Sequence, residues 1–157
     1  MKVGTYTVAN SGLPGDGMCH NVTITHSTQG GTTDTLGTVD MVGTDYNDAV
    51  LTETITPVAD NVASGVKAFK SITSVTGVNW AIDEGGTPDA DHITVGFGGL
   101  IGLPVILGAA ADLVMATHGT GVLNAPTVAI GAAIGQCTID LTTVGDGAKR
   151  LRLFYQN

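Results

Sequence analysis

Thr38-Val39-Asp40-Met41-Val42 and Ala49-Val50-Leu51-Thr52-Glu53-Thr54-Ile55-Thr56, joined by Gly43-Thr44-Asp45-Tyr46-Asn47-Asp48, decide the fold class. Both arms are rich in β-branched residues and read with a period of two, and the segment between them is a run of turn formers. Asn and Asp tolerate the left-handed backbone that such a turn demands. Pro57 has no N–H to give to a ladder, so the second arm should stop there or lie at an edge.

The same period extends outward. Val3 to Val8 reads as a short strand, the dense turn Asn10 to Gly17 follows, and Cys19 to His26 reads as a second strand. Simple alternation puts the even positions of that strand, His20, Val22, Ile24 and His26, on one face and Thr23 and Thr25 on the other. Asn21-Val22-Thr23 matches a glycosylation sequon and is read as part of the strand. In Lys67 to Thr76, Phe69, Ile72 and Val75 are spaced by three, which a flat strand cannot place on one face, so a bulge or two short strands is expected. Strands are expected at Ile93 to Phe97, Asp112 to Thr117 and Thr127 to Ile130. A closing hairpin is expected between Cys137–Val144 and Arg150–Tyr155, turning through Gly145-Asp146-Gly147. Long 3.6-residue periodicity is absent. The expectation is an all-β chain: one domain over residues 1–157, a β-sandwich or small barrel of about nine short strands with Greek-key-like connections.

Composition agrees. The 157 residues include 23 glycines and as many threonines, 43% are hydrophobic and only 13% are charged, which argues against a helical bundle and against a disordered tail. Six basic residues against fourteen acidic ones give a net charge of −8, which repels phosphate backbones, so no nucleic-acid partner is expected. Ile93 to Ala111 is uncharged over nineteen residues. It contains five glycines and Pro104 and has no Lys or Arg nearby, so it reads as strand and apolar turn, with no membrane role. The opening Met1-Lys2-Val3-Gly4-Thr5 lacks the apolar core of an export signal. Cys19 and Cys137 are too few for a disulfide framework and are read as two buried thiols.

No local pattern assembles a catalytic centre. Cys19 and His20 are strand neighbours pointing to opposite faces, and no Gly-x-Ser-x-Gly elbow occurs. His20 and His26 lie about 20 Å apart along an extended strand, too far to share a metal. Asp83, Glu84, Asp89 and Asp91 offer hard oxygen ligands but not the spacing of an EF-hand, so a solvated acidic loop is the preferred reading over a calcium site. The glycine runs at 96–102 and 131–135 match neither phosphate-loop spacing. No enzyme activity, cofactor or metal is expected. Few surface charges and abundant Gly and Thr point to an assembly component whose surface is covered by neighbours. The bent apolar segment Leu100, Ile101, Leu103, Pro104, Val105, Ile106 and Leu107 is the candidate subunit interface.

Val42-Gly43-Thr44-Asp45, Leu51 to Ile55, Val66 to Thr76, and Val95-Gly96-Phe97-Gly98 followed by Ile101-Gly102-Leu103-Pro104 together resemble small virion proteins of tailed bacteriophages. The likeness spans roughly residues 36–107 and is one of style and short phrases. It implies a structural virion role, with the capsid decoration or cement proteins similar in size, acidity and β-rich composition. Such a protein would be made in the host cytoplasm and sit on the capsid surface as a trimer or dimer, partnered by the major capsid protein or other virion proteins. Tail-tube and tail-fibre proteins share much of the composition, although fibres carry repeats or a shaft that this chain lacks. A carbohydrate-binding β-sandwich module, with Trp80 as its stacking platform, is a further alternative.

Overall fold

The computed structural model describes residues 4–6, 14, 16–27, 36–80, 92–118, 121–122, 127–132, 135–140 and 151–156. These residues form an all-β structure whose two larger sheets pack face to face. The strands are β1 (Gly4–Tyr6), β2 (Cys19–Ser27), β3 (Thr38–Thr44), β4 (Val50–Ile55), β5 (Val62–Phe69), β6 (Ser71–Val78), β7 (His92–Gly102), β8 (Leu113–His118), β9 (Gly121–Val122), β10 (Thr127–Ala129), β11 (Thr138–Asp140) and β12 (Leu151–Tyr155). Eight of these twelve are five residues or longer, so the estimate of about nine short strands matches the substantial ones.

The first sheet runs β1-β6-β3-β4 and the second β10-β11-β7-β2-β5, with a small third sheet β12-β8-β9. Every pairing is antiparallel. Only the β3–β4 connection is a plain hairpin among the first six strands. The chain crosses between sheets from β1 to β2, from β2 to β3, from β4 to β5 and from β5 to β6, which gives the Greek-key-like character. Alternation does the sorting: Val39 and Met41 of β3, Ile55 of β4 and Ile72 and Val75 of β6 face Val22 and Ile24 of β2 and Ala63 and Phe69 of β5, with Trp80 closing the cluster. The Trp80 indole Nε1–H donates to the Thr38 carbonyl at 2.9 Å. A second, smaller core collects Ile101, Leu103, Leu107, Cys137 and Ile139.

The β3–β4 turn is built as its sequence proposes. The Asp45 carboxylate accepts from the Asn47 and Ala49 N–H groups at 2.8 and 3.0 Å, and Asp48 takes the left-handed conformation with φ of 63°. The three-residue spacing of Phe69, Ile72 and Val75 resolves into two strands and a bulge: Phe69 belongs to β5, and within β6 the register against β3 shifts at Val42/Gly43, leaving Thr73 as the extra residue between Ile72 and Val75. β5 ends at Phe69, β6 begins at Ser71, and at the corner the Lys70 N–H donates to the Thr44 carbonyl at 2.8 Å. A Cβ at Gly43 would overlap the Ser71 carbonyl oxygen and come within 2.9 Å of the Phe69 ring, so the corner closes only over glycine.

β2 shifts register against both neighbours near Asn21. The extra residues, 65–67 of β5 and 98–100 of β7, belong to those neighbours, so alternation along β2 is kept: His20 pairs with Phe69 of the core cluster, and its ring lies 6.3 Å from that of Phe97, the partner of Val22. Asn21 is buried at the centre, its Nδ2 donating to the Gly65 carbonyl at 2.9 Å and its Oδ1 accepting from Leu100 N–H at 3.0 Å. One side-chain amide therefore replaces ladder bonds that the bulges remove on both sides. One expectation is corrected: the described parts of Cys137–Val144 and Arg150–Tyr155 do not pair with each other as a hairpin. β11 lies between β10 and β7, and β12 pairs with β8 in another sheet. Cys137 and Ile139 are both fully buried, which demands an interior place that an outlying hairpin could not give. Gly145 to Gly147 lie outside the described residues.

Candidate functional site

The apolar segment following β7 is divided by the fold. Ile101, Leu103 and Leu107 are buried in the chain's own second core and offer nothing to a neighbour. Leu100 and Val105 are partly covered, while Pro104 is exposed and Ile106 is 52% exposed. The part of the segment open to a partner is thus the rim Pro104–Ile106. Cys137 holds this rim from below. Its Sγ accepts from Leu107 N–H and Gly131 N–H, each at 3.3 Å, and Leu103 N–H donates to the Cys137 carbonyl at 2.7 Å. The Asp112 carboxylate closes the far side, accepting from Gly108 and Ala109 N–H at 2.9 and 2.8 Å.

The two thiols are buried and free. Cys19 sits across from Gly102, and Gly102 across from Thr138. With strands about 4.8 Å apart, Cys19 is roughly 10 Å from Thr138, and Cys137 is the next position on the opposite face, so a bridge is out of reach without moving backbone. Burial, with a smaller contribution from the Asp45 carboxylate, pushes the Cys19 thiol from 9.0 up to about 11. The native chain then keeps a proton that the unfolded chain has already lost, so folding stability falls as pH rises from 9 toward 11. Relative to Cys19→Ala, whose reference lacks this group, the native protein should lose about 2 kcal/mol between roughly pH 8.5 and 10.5, measured by urea unfolding. A gap between the two proteins that does not change with pH would contradict it.

His20 is held at both ring nitrogens, Nδ1 by the Gly98 carbonyl and Nε2 by the Asp16 carboxylate, each at 2.9 Å. Both partners are acceptors, so the two bonds exist together only with a proton on each nitrogen. Partial burial raises the Asp16 carboxyl, but the Met18 N–H and His20 outweigh it and hold it below the usual carboxylate range. The link to this turn is therefore present above the ordinary carboxylate pKa and is lost as pH falls through the lowered one. The His20–Asp16 pair ties the turn before β2 to the β7 bulge, and Cys19, its neighbour in the chain, lies on the opposite face of the strand.

Glu53 of β4 closes the edge where the two large sheets meet. Its Oε1 accepts from Val66 N–H at 2.7 Å and Lys67 N–H at 3.3 Å, in the β5 bulge, and Lys67 Nζ donates back to the Thr52 carbonyl at 2.7 Å. No local sequence pattern announces this, since a glutamate on a strand ordinarily reads as a solvated position. Among the described residues no three His, Cys, Asp or Glu side chains converge as a metal site, and no helix is long and apolar enough to cross a membrane. The acidic stretch Asp83 to Asp91 lies outside the described residues. Trp80 is committed to the core, so the stacking platform proposed for a carbohydrate is spent on packing. No protein-family model, curated protein or solved structure matches the chain.

Proposed function

We propose that this chain is a structural virion protein of a tailed bacteriophage, a capsid decoration or cement protein that binds the assembled head from outside and has no active site. The observation that carries the reading is the exposed aliphatic rim Pro104–Ile106 set on a buried core. A rigid apolar edge on a charge-poor surface suits a permanent subunit contact. Binding the assembled shell and not its free subunits stabilises the shell by mass action alone, without chemistry.

The test is co-sedimentation of the purified chain with assembled heads of the phage that carries it. Binding is expected, with the heads surviving to higher temperature. Ile106→Asp should weaken binding by roughly tenfold or more while leaving the fold intact, because Ile106 is largely solvent-facing in the free chain. A chain that binds neither heads nor any other virion component overturns the proposal, and hexameric rings or tubes in negative stain would transfer it to the tail.

A further inference from the structure

Among the described residues, one large sheet ends at β4 and the other at β5, and contacts from Glu53 and Lys67 bring these two terminal strands together. The outer edge of a terminal strand is a template on which another chain can pair. β4 is well suited to it. The Asp45 N–H donates to the Ala49 carbonyl at 2.9 Å, which sets the phase of the hairpin. Leu51, Glu53 and Ile55 therefore bond to β3, and Val50, Thr52 and Thr54 turn their backbone groups toward the open edge. All three are β-branched and exposed, Val50 to 77%, the composition that favours an added strand.

Three features oppose that pairing. Lys67 Nζ donates to the Thr52 carbonyl at 2.7 Å, so the middle outward acceptor of β4 is occupied and a positive charge sits on the edge. Glu53 stands between Leu51 and Ile55, on the face of β4 that packs inward, and its Oε1 takes the Val66 and Lys67 N–H groups at 2.7 and 3.3 Å. Those two N–H groups belong to the bulge at residues 65–67, which bends β5 out of the line a partner strand would follow. An edge lysine, an inward-pointing charge and a bulge are each means by which sheet edges are blunted. The other oxygen of Glu53 argues for the same role. Its Oε2 is buried with no hydrogen-bond partner, pressed against Gly65 where any Cβ would collide with it. A carboxylate oxygen left unbonded inside costs stability, so packing alone does not account for this residue.

We propose that Glu53, Lys67 and the β5 bulge form an autoinhibitory guard that keeps β4 from pairing with the β4 edge of a second copy. With the guard removed, two copies would join across a two-fold axis, β4 antiparallel to β4, and merge their first sheets into one. The guard leaves assembly to other surfaces, and the proposal does not depend on the role given to the rim Pro104–Ile106.

Sedimentation velocity of the purified chain carrying Ile106→Asp, which takes the rim out of the measurement, tests this. Glu53→Gln keeps an acceptor for the bulge and removes the inward charge. Lys67→Thr frees the Thr52 carbonyl and exchanges the edge charge for a β-branched residue. Near-ultraviolet circular dichroism checks that the variants are folded. The Glu53→Gln/Lys67→Thr double variant should self-associate at protein concentrations about tenfold or more below those its parent needs. Adding Val50→Lys, at a largely exposed site, puts a charge back on the edge and should return it to the parent's state. A folded double variant no more associated than its parent overturns the proposal, and so does association that Val50→Lys leaves unchanged, because the contact would then lie away from β4. Should the double variant not fold, Lys67→Thr alone decides: a smaller shift in the same direction supports the guard and no shift overturns it. Head binding is read separately, and its failure would sink the decoration role without touching this edge.

Discussion

Asn21→Leu should destabilise the fold by roughly 2–5 kcal/mol, because it leaves the Gly65 carbonyl and the Leu100 N–H without the amide that now serves both, at about 1–3 kcal/mol for each orphaned group. For a protein of ordinary stability that is a large fraction of the total. Leucine keeps the branched shape of asparagine but is bulkier, so overpacking adds to the hydrogen-bond loss. Asn21→Asp is the instructive companion. It keeps an acceptor for Leu100 N–H, loses the donor to Gly65, and buries a charge beside Gly98, where a Cβ would already collide with the Asn21 amide. It should therefore be no better tolerated at neutral pH and should recover as the carboxyl is protonated. Urea unfolding followed by the fluorescence of the single, buried Trp80 gives the numbers. A cost for Asn21→Leu within about 0.5 kcal/mol would mean that the bulges close their own hydrogen bonds without the side chain.

Phe69→Ala should cost about 3–5 kcal/mol, the usual range for emptying a fully buried aromatic site. Phe69 is the last residue of β5, and its ring lies between the two sheets against the Gly43 backbone at the corner into β6. Collapse of the cavity is opposed because that corner is already closed tightly over glycine. Phe69→Leu, which keeps most of the volume, should cost well under half as much. If Phe69→Ala and Phe69→Leu proved equally mild, the ring would not be the packing centre that its burial implies. Gly43→Ala should be severe for a different reason: its obstacle is the Ser71 carbonyl, and shortening Phe69 in the same chain should not rescue it.

The parts of this fold that were legible in the sequence are those fixed by neighbours in the chain. The β3–β4 hairpin follows from its turn residues, and the break at Lys70 follows from a spacing that one strand cannot accommodate. The burial of Asn21 was not legible. It depends on bulges in β5 and β7, which its amide reaches at sequence distances of 44 and 79 residues, and alternation counted along β2 alone carries no trace of them. The partner of β12 was hidden for a related reason. Asp146-Gly147 is a sound local turn signal, yet β11 carries buried residues on both faces and β12 exposes Arg152 and Phe154, so burial assigns the two strands to different sheets. Sparse charge in residues 100–107 marked apolar burial correctly but did not say in what. Ile101, Leu103 and Leu107 satisfy it within the chain, which leaves Pro104 and Ile106 as the portion that a partner could cover.

Asn21 has a practical consequence for anyone producing this protein. The residue at the centre of the second sheet is also the acceptor of an Asn-Val-Thr sequon. Oligosaccharide is transferred to such sites before a chain has folded, and a sugar on this amide would occupy the space between β5 and β7 and remove both hydrogen bonds at once. Secretion from a glycosylating host should therefore return misfolded, sugar-bearing material, whereas cytoplasmic expression should return the native sheet. Replacing Thr23, which is only partly buried, by Ala should restore folding in the secretory host by abolishing the sequon while leaving Asn21 in place. Equal yields of native protein from both hosts without that change would show that Asn21 escapes modification or tolerates it.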